Sequence, residues 1–216
     1  MHAIQEMISL PSDVAVRRPA AYSQKAWKHF QGLDDMLEKT IGLRDPFLLA
    51  HSLSVANFAV KLAQRLGLPQ DQVELIRRGS LLHDIGKLRL PQAILAKSEL
   101  LTPREYEMVK THPVLGAALL QDCTDSHLLI PMVRHHHERF DGQGYPDRIS
   151  GTQIEIEARI VSLADAIDVM RTNRPYRRAL SMPQIVSEIN RCASRQFDPL
   201  IVEPAILILK DMEAGA

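Results

Sequence analysis

Apolar residues in this chain recur every three or four positions, and nowhere in a sustained alternation of two. Phe47, His51, Val55, Phe58 and Leu62 fall on one side of a helix, and so do Val73, Ile76, Ser80 and His83. Ile156, Ile160, Leu163, Ile167 and Met170 repeat the pattern over 153–170. Local start signals agree with it. Asp45-Pro46 pairs a capping side chain with a proline whose missing N–H costs a first turn nothing. Thr102-Pro103-Arg104-Glu105 spells a capping box, and Ser181 and Asp198 each open a helix beside a proline. Further helices are expected over 21–41, about Trp27, over about 70–83, and from about 125 into His135-His136-His137-Glu138. Pro113 is expected to split a helix just after His112. The chain reads as all-α.

With 216 residues, the chain can bury roughly 70% of its unfolded surface and needs no disulfide or structural metal to hold a core. Lys and Arg total 26 and Asp and Glu total 26. That balance offers no global field for a polynucleotide, whose binding rests on neutralising phosphates. Cys123 and Cys192 are far apart in sequence and outside any CxxC pair, which fits a reducing compartment. No signal peptide and no run of 18 apolar residues is found. The expectation is a cytoplasmic protein without a membrane span.

The nine histidines carry more information than their number. His51 and His83 lie on apolar faces, Asp84 follows His83 directly, and Asp165 sits within an apolar helix. One such histidine is most often a hydrogen-bonded core residue. Several together with inward carboxylates are hard to bury unless a cation neutralises them. Imidazoles and carboxylates without thiolates suit iron, manganese or a similar divalent ion, and no organic cofactor is expected. His136 and His137, about 100° apart around a helix, are placed to straddle two ions.

His51, HDIGK at 83–87, HP at 112–113, HHERFDGQGYP at 136–146 and LADAIDVMRTNRPYRRAL at 163–180 resemble the HD-GYP domain, a branch of the HD metal-dependent phosphohydrolases that hydrolyse cyclic di-GMP. The resemblance implies an N-terminal extension over 1–36, partly helical, and a hydrolase domain over 37–216, an HD-type helical bundle around a buried dinuclear metal site. It implies His51, His83, Asp84, His112, His136, His137 and Asp165 as ligands of two iron or manganese ions, with Asp84 bridging. Some members hold a third metal with a Glu four residues before the first histidine; Phe47 stands there, so two ions are expected.

Asp84 and Lys87 are then the catalytic residues. Lys87, Arg174, Arg177 and Tyr145 would bind substrate. The Gly144-Tyr145-Pro146 loop would line the site or dock a regulatory protein, and a homodimer is left open. The implied reaction is hydrolysis of a cyclic dinucleotide, first of all cyclic di-GMP, by a metal-bound hydroxide, to linear pGpG, with further cleavage to GMP left open. A metal that lowers the pKa of water from about 15.7 to about 7 contributes on the order of 12 kcal/mol. A lysine at about 4 Å from a phosphate oxygen contributes about 4 kcal/mol at an effective dielectric near 20. Two alternatives stay open: an HD-type hydrolase of another nucleotide, and a non-catalytic module binding a dinucleotide or a partner.

Overall fold

A computed structural model describes residues 45–121, 126–173 and 178–215. The helix expected about Trp27, the extension over 1–36, Cys123, Arg174 and Arg177 lie outside the described residues. Among the described residues there are helices and turns and no strand beyond one isolated bridge between Ala193 and Phe197.

Helix α1 (Pro46–Arg65) starts where Asp45 accepts the Leu48 N–H at 3.0 Å. Its buried stripe runs through Leu48, Ser52, Val55, Ala59 and Leu62. Phe47, expected on that face, is 88% exposed, because the stripe at the first turn passes through the next residue. By length and composition α1 would suffice to cross a bilayer; in the structure it packs against α2 (Gln70–Leu82), α7 (Ile156–Arg171) and α9 (Pro199–Ala214). Helix α7 buries Ile156, Ile160, Leu163, Ile167 and Met170, the stripe its periodicity predicts. Each such side chain contributes roughly 1.5–3 kcal/mol, so the helix that carries Asp165 is firmly seated.

Past α2 the chain turns through a 3₁₀ segment, Ile85–Arg89, then the short α3 (Gln92–Leu95) and α4 (Pro103–Val109). Thr102 and Glu105 form the expected capping box. The split by Pro113 falls before His112, not after it: α4 ends at Val109 and α5 (His112–Leu120) has Pro113 in its first turn. A proline in the first turn needs no N–H partner. The Val109 carbonyl, which proline cannot reach with an N–H, accepts the His112 Nδ1–H at 2.7 Å instead. Helix α6 (Ile130–His135) is shorter than expected, since Pro131 opens it, and a 3₁₀ turn, Ser126–Leu128, precedes it. Helix α8 (Met182–Cys192), capped by Ser181, packs on α9, which Asp198 caps at the Leu200 N–H.

Candidate metal centre

Five segments converge: the second turn of α1, the α2–3₁₀ corner, the α4–α5 break, the end of α6, and the middle of α7. One close approach brings two of them together. A Cβ on Gly86 would lie 1.9 Å from the His112 carbonyl oxygen and 2.6 Å from the Gly116 nitrogen. Only glycine lets the His83-Asp84 corner sit directly against the start of α5.

His83, Asp84, His112 and His136 are all but inaccessible. Three of the imidazoles are aimed by backbone carbonyls. Nδ1 of His83 meets Ser80 O at 2.7 Å, Nδ1 of His112 meets Val109 O at 2.7 Å, and Nδ1 of His136 meets Val133 O at 2.9 Å. A carbonyl only accepts, so each Nδ1 donates, and the neutral form of each ring presents its Nε2 lone pair inward. His51 differs: its Nδ1 faces the Asp168 carboxylate at 2.6 Å, and Ser54 donates to the other Asp168 oxygen.

The inward atoms surround Asp84. Its Oδ1 lies 3.1 Å from His112 Nε2 and 3.9 Å from His136 Nε2. Its Oδ2 lies 3.3 Å from His83 Nε2, 3.8 Å from His51 Nε2 and 2.5 Å from Lys87 Nζ. His51 Nε2 is 3.2 Å from Asp165 Oδ1. The potential donors form two groups, Asp84 with His112, His136 and His137, and His51 with His83 and Asp165, each gathered within 4.8 Å.

Acceptor faces acceptor in this arrangement. His112 Nε2 lies 3.2 Å from His136 Nε2, and both face a carboxylate oxygen. His83 Nε2 and Asp84 Oδ1 are buried without a hydrogen-bond partner. Buried polar atoms are seldom left so, because each forfeits the hydrogen bond it had to water. Opposed lone pairs are tolerable only around a positive charge, and a divalent cation fits this donor set.

Protonation states agree. Burial, with the neighbouring His137, His83 and His112, holds His136 well below the ordinary histidine value. Burial brings His137 down to about 4. Both rings are thus neutral and open to a cation near neutrality. Burial opposes charge on His51 too, but the carboxylates of Asp165 and Asp168 outweigh it and raise the ring to about 9. Asp84 and Asp165 stay well below the carboxylate range: burial opposes ionisation, yet Lys87 and His83 outweigh it at Asp84, and His51 and His83 at Asp165.

All seven residues expected as ligands therefore meet in one place. His136 and His137 sit just past α6, ring centroids 4.1 Å apart, and both fall in the group with Asp84. Tyr145 stacks on His137 with centroids 4.9 Å apart. His135 lies outside the cluster, 3.0 Å from both Asp147 and Glu155.

Two further residues were not singled out from the sequence. Asp168 orients His51; its position one turn after Asp165 on α7 was the available signal. Glu138, which is 2% exposed, accepts the N–H groups of Asp147 at 2.6 Å and Arg148 at 2.8 Å and so ties the loop to the end of α6. A Cβ on Gly144 would lie 2.4 Å from the Arg139 nitrogen, so the loop lies flat on the HHER backbone.

Comparison with known proteins agrees with this geometry. The family model described as HD domain matches residues 35–201. The chain is 35% identical over 169 residues to the cyclic di-GMP phosphodiesterase response regulator RpfG of Xanthomonas campestris pv. campestris (strain 8004), covering 77% of this chain and 45% of that one. It is 33% identical over 156 residues to 3'3'-cGAMP-specific phosphodiesterase 2 of Vibrio cholerae, covering 71% and 30%. The chain thus spans less than half the length of either relative. Its fold is that of Bd1817, an HDG"Y"P protein from Bdellovibrio bacteriovorus, with a TM-score of 0.65 at 24% identity over 77% of this chain and 53% of that one. The chain belongs to the HD-domain family, and carries in HDIGK and HHERFDGQGYP the signatures of its HD-GYP branch.

Proposed function

We propose that this chain is a metal-dependent phosphodiesterase that opens a cyclic dinucleotide, first of all cyclic di-GMP, to linear pGpG and on to GMP. The observation that carries this reading is the division of Asp84: one oxygen faces His112 and His136, the other His51 and His83. A carboxylate shared in this way is suited to bridge two ions. His51, His83, Asp84, His112, His136, His137 and Asp165 would hold them, and the thiolate-free donor set favours iron or manganese. Two such cations, when bound, supply an activated water and offset charge on the phosphoryl oxygens.

The remaining work falls to the chain's own groups. Asp84 is held ionised in a buried position, where it can orient a nucleophile and accept its proton. Lys87, which is 28% exposed, can turn from Asp84 to the scissile phosphate. Arg174 and Arg177 are the expected phosphate contacts of the segment beyond α7. The stack of Tyr145 on His137 favours a loop that lines the site over one that docks a partner.

The relatives' names support the substrate class: one is named for cyclic di-GMP, the other for 3'3'-cGAMP, which shares one GMP half with it. Anaerobic purification, elemental analysis and chromatography of products from cyclic di-GMP and 3'3'-cGAMP test the reading. The expected result is two equivalents of metal and linear product from at least one substrate. Metal-free, inactive protein that still bound a dinucleotide would replace it with the scaffold reading.

A further inference from the structure

The loop after the HHER segment carries a cation that the metal centre does not use. Glu138 holds the N–H groups of Asp147 and Arg148, and Arg148 sits in the left-handed region at φ 56°. Gly142 and Gly151 take positive φ in the same stretch, a conformation that costs glycine nothing and an arginine free energy. The arginines around Arg148 are engaged: Arg134 by Asp147 and Arg139 by Asp141. Among the described residues no carboxylate pairs with the Arg148 guanidinium.

Arg148 lines a cavity of about 650 Å³ together with Lys110, Tyr106, Tyr145 and His137. That volume is in the range of small-molecule sites. His137 belongs both to this wall and to the ligand cluster, so the cavity adjoins the metal centre. Lys110 Nζ stands 5.3 Å from the Tyr145 ring centre, and its partner Glu107 is largely exposed, so its charge remains available to the cavity.

A cyclic dinucleotide has two phosphodiesters. Only one can lie at the cations, and the other remains an anion. A guanidinium offers the forked donors that phosphate oxygens accept. We propose that Arg148, seconded by Lys110, binds the non-scissile phosphate of the cyclic dinucleotide. This assignment rests on the phosphodiesterase reading above.

The test compares two substrates on the metal-loaded enzyme: cyclic di-GMP, and bis(p-nitrophenyl) phosphate, which has one phosphodiester. Arg148→Gly removes the guanidinium and the backbone strain together, so it is expected to fold at least as stably as the wild type. It should raise the ratio of KM for cyclic di-GMP to KM for bis(p-nitrophenyl) phosphate about ten- to hundredfold, the loss of one charge-assisted contact, with the larger change in KM and not in kcat. Metal content should stay at the wild-type level, and Arg148→Lys should recover part of the ratio. An unchanged ratio, with both substrates hydrolysed, would overturn the assignment alone. A wild type that hydrolysed neither substrate would overturn the phosphodiesterase reading and this assignment with it.

Discussion

The two halves of the metal centre are built differently. The half around Asp84 Oδ1 is histidine-rich: His112 and His136 are buried and aimed by neutral carbonyls, and His137 alone of its histidines reaches a cavity wall. It comes from short elements that a glycine lets approach closely. The half around Asp84 Oδ2 is acid-rich and partly open. His51 and Asp165 have side chains 16% exposed, and His51 is backed by a full carboxylate, Asp168. It comes chiefly from the second turn of α1 and the middle of α7, two long helices. The first half offers His136 and His137, whose lowered values leave them neutral and ready for a cation. The second holds a proton that a cation must displace, but attracts it with more negative charge. Two ions bound here would therefore differ in affinity, in proton release and in access to solvent.

Removing what the halves share should have the largest effect. Asp84→Ala is expected to lose both ions and to lower turnover by at least about 10³-fold, read by elemental analysis beside product formation. Retention of two metals and a normal rate would refute the bridging role. Next come substitutions that strike one half. His112→Ala and His51→Ala should each reduce the metal stoichiometry from two to one, and the ion retained should differ between them. If both variants lost both ions together, the halves would be one cooperative unit and the contrast drawn here would fail.

A smaller effect should separate aim from ligation. Asp168→Asn leaves every inward atom in place but weakens the partner of His51 Nδ1. Such outer partners typically alter metal affinity by about 10–100-fold. The loss should fall on one equivalent only in a competitive chelator titration; equal weakening of both would show that Asp168 acts on the whole fold.

The smallest and most diagnostic contrast lies in pH. In metal-free protein His51 is raised to about 9, so its protonated form stabilises the fold fully below the ordinary histidine value and that contribution is lost as pH rises toward 9. Metal must displace this proton, so affinity in the acid-rich half should climb with pH over that window, by at most about tenfold per unit. The histidine-rich half, where His137 is lowered to about 4, should show little change across the same range. Calorimetric titrations in buffers of different ionisation enthalpy would show proton release for one equivalent and not the other. Matching proton release for both would erase the distinction.

Helix beginnings were legible because they depend on neighbours within one turn: Asp45-Pro46, the Thr102–Glu105 box, Ser181 and Asp198 all act where expected. The stripe of α7 was legible for the same reason. The chemical kinds present could also be read locally, since HDIGK and HHERFDGQGYP set imidazoles, carboxylates and a lysine side by side. Phe47 and the helix break near His112 show the limit, because a shift of one residue alters which face is buried.

Tertiary structure alone decided which candidate ligands stand together. His51 meets Asp168 across 117 positions, and His112 meets His136 across 24. His136 and His137, adjacent in sequence, join one group, while His83 and Asp84, equally adjacent, are divided between two. Periodicity and capping act over the three or four residues that a turn of helix brings into contact. The sharing of one carboxylate between two clusters depends on how close whole helices approach, and that distance is set by packing at points such as Gly86.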